Sequence, residues 1–135
     1  MTIELKPQIP DTDTFLMLRK SAGLSGYERE AADLGLKNSL FGVMLFDGGT
    51  PVGMGRLVGD GGLAVQVTDI AVLPAYQGRG LGKTIMAALK QFIEAELPAS
   101  VYVSLIADLP ADRLYAQFGF RETAPASIGM WRRGR

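Results

Sequence analysis

The stretch Gln77-Gly78-Arg79-Gly80-Leu81-Gly82-Lys83 holds the residues best placed for ligand chemistry. Glycines at alternate positions let a backbone turn tightly and come close to a bound group. Several N–H groups then point into one concavity. Where a helix starts at that point, its dipole adds positive potential, and the whole suits a pyrophosphate. Arg79 and Lys83 add charge. The spacing fails two common phosphate loops. A Walker A loop needs glycine where Gln77 stands, before Gly82-Lys83-Thr84. A G-x-G-x-x-G fingerprint needs its last glycine where Lys83 or Ile85 stands. What remains is Gln-x-x-Gly-x-Gly, filled by Gln77, Gly80 and Gly82. Taken alone, the loop also reads as a tight strand-to-helix turn without a ligand.

Composition narrows the chemistry further. The chain has 135 residues, which fits a single domain over residues 1–135. It contains no cysteine and no histidine. Disulfides, thiolate metal sites, a cysteine nucleophile and Ser-His-Asp chemistry are thereby excluded, and no metal is expected. The 14 basic and 14 acidic residues cancel, where a nucleic-acid binder would carry a basic excess. The cluster Arg132, Arg133, Arg135 reads as a solvated tail. No signal pattern opens the chain, and no apolar run reaches the roughly 20 residues needed to span a membrane. A cytoplasmic protein without nucleic-acid or membrane partners is the expectation.

The elements around the glycines follow from periodicity and turn chemistry. Ile3–Leu5 reads as a short strand. Asp11 or Thr12 caps a helix to about Ala22 with Phe15, Leu16 and Leu18 on its apolar side. A loop, Gly23–Gly26, leads to a weaker helix over Tyr27–Leu36. Strands at Leu40–Phe46, Pro51–Val58 and Leu63–Leu73 are separated by Asp47-Gly48-Gly49 and Asp60-Gly61-Gly62, hairpin signals that give an antiparallel meander. From Gly80 to Leu97 the period becomes helical, with Leu81, Ile85, Leu89 and Phe92 on one stripe. Val101–Ala107 reads as a buried strand and Pro110–Phe118 as a helix. Phe120–Thr123 and Ile128–Arg133 read as final strands. The expected fold is α/β (α+β): a mixed, mostly antiparallel central sheet of six to seven strands, flanked by about four helices covering both faces.

The stretch Asp69-Ile70-Ala71-Val72-Leu73-Pro74-Ala75-Tyr76-Gln77-Gly78-Arg79-Gly80-Leu81-Gly82 closely resembles the signature motif of the GNAT acetyltransferases. Asp108 to Phe120, with Ala111, Leu114, Tyr115, Gly119 and Phe120, resembles the second CoA-binding segment of that family. Asp108 stands where the family often carries an asparagine that contacts the pantetheine arm. The element order matches over nearly the whole chain, and the sequence motifs match from about residue 52 to 120.

The resemblance implies a central strand that splays from its parallel neighbour and holds the acetyl-pantetheine arm of acetyl-CoA in the gap. Ile70, Ala71 and Val72 then bind through their backbone, with the Val72 N–H on the thioester carbonyl. A fixed donor there stabilises the oxyanion that attack creates. Gln77, Gly78, Arg79, Gly80, Leu81, Gly82 and Lys83 hold the pyrophosphate, and Asp108 and Tyr115 complete the CoA site. Tyr115 matches the family's general acid, which protonates the departing thiolate. Reference values near 10 for Tyr and 8.5 for a thiol make that transfer uphill by roughly 2 kcal/mol, so a hydrogen bond to the thiolate is its expected main contribution. Packing beside Leu114 and Phe118 is the other reading of Tyr115.

The acceptor amine must lose a proton, and Asp69 is the first candidate base, with a structural carboxylate as the competing reading. Glu28 and Glu30 are weaker candidates that also read as surface charges. The acceptor pocket is implied by the family to lie between the first two helices and the last strands, where Ser25, Tyr27, Ser127 and Met130 are candidate lining. The expected activity is transfer of acetyl from acetyl-CoA to a primary amine of a small molecule, arylalkylamine-like, by direct attack in a ternary complex. The rivals are a non-catalytic acyl-CoA sensor and an interaction domain that forms a homodimer through its late strands.

Overall fold

The computed structural model describes residues 2–135. Its elements run β1 (Ile3–Lys6), α1 (Thr12–Ser21), α2 (Arg29–Leu36), β2 (Phe41–Asp47), β3 (Thr50–Gly59), β4 (Ala64–Val72), a short 3-10 turn (Pro74–Tyr76), α3 (Leu81–Glu96), β5 (Tyr102–Ser104) and α4 (Asp112–Ala116). One sheet has the order β1-β2-β3-β4-β5. Every neighbouring pair is antiparallel except β4 and β5, which are parallel. Local chemistry explains the meander. Gly48 and Gly49 both take positive φ, at 56° and 89°, as the tight hairpin between β2 and β3 requires. The Asp60 carboxylate accepts from the N–H groups of Gly62, Leu63 and Ala64, which closes the turn into β4 and holds that carboxyl below its ordinary range.

Helices cover both faces of the sheet. On one face Leu81, Ile85, Met86 and Leu89 of α3 pack on Val43, Leu45, Val52, Leu57, Val65 and Val67. The stripe ends at Phe92, whose ring stacks on Phe41 with centroids 4.1 Å apart. Gly55 lets α3 sit this close, because a Cβ there would meet the Ile85 side chain at 2.5 Å. On the other face Phe15 and Leu18 of α1 and Ala32 and Leu36 of α2 pack on Met44, Met54 and Ala71. Asp11 starts α1 by accepting from the Thr14 N–H at 2.8 Å.

Strand β4 changes face partway along. Val65 and Val67 belong to the α3 core, as do Ile70 and Val72, whereas Ala71 belongs to the α1 core. Odd-numbered side chains face α3 first, and even-numbered ones do so afterwards. The register with β3 accounts for this, moving from Arg56↔Thr68 to Met54↔Ala71 with one extra residue on β4. That residue is a bulge, and it reverses the parity of everything beyond it. Asp69 lies in it at φ 59°, the single non-glycine residue with positive φ among the described residues.

The sheet has five strands, not six to seven. Neither Phe120–Thr123 nor Ile128–Arg133 forms a strand. Residues 121–135 are exposed throughout, including Ile128, Met130 and Trp131, so the apolar positions that suggest a strand have no face to bury. The last strand and last helix are also shorter than their sequence patterns, at Tyr102–Ser104 and Asp112–Ala116.

Candidate active site

The end of β4 presents an open edge. β5 pairs with β4 at Ala64, Val65 and Gln66, while β4 continues to Val72. The Leu73 N–H donates to the Val52 carbonyl of β3 at 2.9 Å. Successive N–H groups along a strand point in opposite directions. The Val72 N–H therefore points away from β3, towards the side where β5 lies and where its pairing has stopped. The side chains of Ile70 and Val72 meanwhile pack on the α3 core. Packing by side chain and contact by backbone are compatible at these residues.

The glycine loop follows directly. Gly78 and Gly80 sit in left-handed conformations, φ 79° and 77°. A Cβ on either would have nothing within 4 Å, so both backbones border open space. Gly80 is the N-cap of α3 and carries no side-chain cap, which leaves the first N–H groups of the helix to an outside acceptor. Gly82 answers a different need: its Cβ would come within 3.2 Å of the Leu114 side chain of the α4 region. Leu81 is buried in the core, whereas Arg79 and Lys83 are exposed, with the Arg79 guanidinium 5.4 Å from the Tyr76 ring. Gln77 turns back: its side-chain amide donates to the Val72 carbonyl at 2.9 Å, tying the loop to the strand end. Uncapped helix N–H groups, glycines that clear the approach and two cations fit a diphosphate.

Tyr115 on α4 is half-buried and packs against the α3 core. Burial, reinforced by the nearby Asp108 carboxylate, pushes its phenol above the ordinary value. It stays protonated well past neutral pH, able to donate a hydrogen bond. Asp108 is exposed in the loop before α4, where its carbonyl accepts from the Ala111 N–H.

Asp69 is buried, with its side chain 3% exposed, and both its oxygens are engaged. Oδ1 accepts from Nη1 of Arg19 on α1 and Oδ2 from Nε of Arg56 on β3, each at 2.6 Å. Arg19 spends its other donors on the loop after α1: Nε donates to the Ser25 carbonyl at 2.9 Å and Nη2 to the Ser25 hydroxyl at 3.1 Å. Arg56 also donates to the Ser39 hydroxyl. Sequence reasoning missed both arginines. The signal was present, for Arg19 lies four positions after Phe15 and next to Leu18, on the apolar stripe of a helix, and Arg56 interrupts an apolar strand. Charges at two core positions, with a lone Asp in the neighbouring strand, imply a buried pairing.

The candidate acceptor residues are only partly assembled. Ser25 is held by Arg19, whose guanidinium lies 4.8 Å from the Tyr27 ring. The far end of the chain reaches the same place, with the Arg133 guanidinium 5.7 Å from both the Tyr27 and the Trp131 rings. Met130 is exposed in this terminal segment. Ser127 instead lines a cleft of 710 Å³ between α3, β5 and residues 118–123, a cleft to which the glycine loop contributes nothing. Glu28 is the N-cap residue of α2 without a capping bond, and Glu30 follows in its exposed first turn.

Comparison with known proteins agrees with this arrangement. A curated relative, an uncharacterised N-acetyltransferase of Porphyra purpurea, is 32% identical over 81 residues, which cover 59% of this chain and 45% of that protein. The matched part is thus less than half of the relative. A solved structure from meticillin-resistant Staphylococcus aureus, a protein of unknown function described as a probable acetyltransferase, is 47% identical with a TM-score of 0.93, covering 98% of this chain and 99% of that one. A GNAT family acetyltransferase of Streptococcus pneumoniae is 27% identical with a TM-score of 0.80, covering 99% and 100%. The family model for the Acetyltransferase (GNAT) family matches residues 11–120. Glycine loop, open strand edge and sequence relationship agree, and the chain belongs to the GNAT acetyltransferase family.

Proposed function

We propose that the protein is an N-acetyltransferase that moves acetyl from acetyl-CoA to the primary amine of a small, arylalkylamine-like molecule in a ternary complex. The carrying observation is the open end of β4, where the Val72 N–H points into the gap beside the glycine loop. Acetyl-CoA supplies an activated thioester. The N–H groups at Gly80–Gly82, with Arg79 and Lys83, bind the diphosphate, and the β4 edge at Ile70–Val72 aligns the arm. Val72 N–H donates to the thioester oxygen and holds the negative charge that develops there. The amine nitrogen bonds to the acetyl carbon as the C–S bond breaks. The nitrogen, cationic once bonded, gives its extra proton to water, while Tyr115 hydrogen-bonds the departing sulfur and passes it a proton that solvent replaces.

The acceptor must arrive as the neutral amine, and a free alkylammonium has a pKa near 10.4. With both Asp69 oxygens taken by arginines, the ammonium proton passes to water. The rate below saturation then rises about tenfold per pH unit from 7 to 9, since each unit raises the neutral amine tenfold. Tyr27 and Trp131 favour an aromatic acceptor over a polyamine, because both rings are exposed and Asp69, the carboxylate at Arg19, is already taken by Arg19 and Arg56. The same occupied carboxylate favours a second reading, a domain that holds acyl-CoA without turnover.

Calorimetric titration with acetyl-CoA, using ATP as control, is followed by thiol release with arylalkylamines, polyamines and a lysine peptide. Expected are acetyl-CoA binding and fastest release with the arylalkylamines. Binding without release from any amine selects the holding domain; no binding removes both readings.

A further inference from the structure

We infer that Asp69 is a positioning residue that locks the acceptor loop to the thioester-facing end of β4; the inference rests on the acetyl-transfer reading above. The bulge at Asp69 sets which way the last residues of β4 face. A residue without glycine's freedom is held there at φ 59°, a conformation that persists where the surroundings enforce it. Here the enforcement comes from Arg19 on α1 and Arg56 on β3, one on each carboxylate oxygen. Arg19 is a planar fork with fixed donor directions. Its remaining donors grip the Ser25 carbonyl and hydroxyl. A continuous polar path thus runs from Ser25 through Arg19 to Asp69, three residues before Val72. Tyr27, stacked on the same guanidinium, belongs to the same unit.

The path joins the two halves of a bisubstrate site. One end sets the strand that presents the Val72 N–H, and the other shapes the loop where the amine is proposed to sit. Transfer needs the nitrogen near 3–3.5 Å from the acetyl carbon, and a misplacement of about 1 Å costs on the order of 100-fold in rate. A proton acceptor needs an accessible oxygen, whereas each oxygen of Asp69 already receives a charged donor in a site closed to solvent.

Asp69→Asn keeps the size and tolerates a left-handed backbone, but removes the charge. Ser25→Ala leaves both ion pairs in place and removes one loop contact. Two measurements decide: amide hydrogen exchange at Leu24–Tyr27, and the pH dependence of kcat/KM with the KM of each substrate. In Asp69→Asn, exchange in the loop rises although the substitution lies on β4. Turnover drops about 100-fold, the rise from pH 7 to 9 keeps its slope, and acetyl-CoA affinity stays within about threefold. A wild-type profile that is flat from pH 7 to 9 and gains the slope only in Asp69→Asn makes Asp69 the base and overturns the inference, as does unchanged exchange in the loop. If Asp69→Asn does not fold, Ser25→Ala decides. It should raise loop exchange and the acceptor KM with the acetyl-CoA KM unchanged, and failure of either rise overturns the inference. Exchange reads the lock without any substrate, so a wild-type protein that ignores acetyl-CoA would defeat the transfer reading separately.

Discussion

The glycine loop before α3 and the loop between α1 and α2 both meet the last residues of β4, yet they are held by opposite means. The glycine loop shapes itself, with Gly78 and Gly80 in left-handed conformations, an uncapped helix start, and one side-chain tie from Gln77 to Val72. The loop between α1 and α2, the proposed acceptor side, is shaped from outside, by Arg19 and through it by Asp69. A ligand common to a whole family suits the first solution, because backbone N–H groups are present whatever the side chains. A ligand that differs between relatives suits the second, where side chains can change while the strand stays.

Breaking the donor side should give the largest effect. Gly80→Glu puts a charged residue where φ is 77° and where the N–H groups are proposed to bind the diphosphate. Acetyl-CoA affinity should fall more than about 100-fold, since like charge and bulk replace a charge-assisted contact. The fold should survive at a cost of about 1–2 kcal/mol for the left-handed backbone, read by calorimetry and thermal melting. Gly80→Asn, which tolerates that backbone, sharpens the contrast by restoring part of the binding.

Tyr115→Phe comes next, with kcat down about 10- to 100-fold and acetyl-CoA affinity unchanged, measured by thiol release and titration. Burial and Asp108 raise the phenol's pKa, so the protonated form is favoured in the fold. Its contribution holds below the unfolded value near 10 and fades as pH climbs through the folded one. Tyr115 therefore does not cut the expected rise between pH 7 and 9, and a maximum below pH 9 would remove the role given to it.

On the acceptor side, Tyr27→Ala removes the ring shared by Arg19 and Arg133. It should raise the acceptor KM by about tenfold and leave that of acetyl-CoA alone, a stacked contact being worth on the order of 1 kcal/mol. Equal effects on both substrates would dissolve the division between the two sides. The smallest effect is expected at Asp11→Ala, which removes the α1 cap and costs roughly 1 kcal/mol of stability with little change in kinetics. The hydrogen bond from the Thr14 N–H holds the Asp11 carboxyl below the ordinary carboxylate range. That stabilisation is present above the unfolded pKa and is lost as acid protonates the group.

The same contrast explains what could be read from the sequence. Glycines at 78, 80 and 82, the Gly48-Gly49 hairpin and the α3 stripe act within a few neighbouring positions, so local rules find them. The arginine pairing spans residues 19, 25, 56 and 69, and no period connects them. The bulge was hidden for another reason. Alternation on either side of Asp69 looks regular, and a one-place shift between the two runs becomes visible only against β3. The late strands were overread because Ile128, Met130 and Trp131 have strand-like spacing, while strand formation also needs a surface to cover them.

The parity reversal in β4 also makes the strand unevenly tolerant of length changes. Removing one residue from the Asp60–Leu63 turn would shorten a surface connection. Removing Asp69, the extra residue, would leave Ile70 and Val72 on the α3 core and Ala71 opposite but take the carboxylate from Arg19 and Arg56, whereas removing Ala71 would turn Val72 out of that core. Acceptor loops from related enzymes could therefore be exchanged between Gly23 and Glu28 only with an arginine kept at position 19 and the extra β4 residue left in frame.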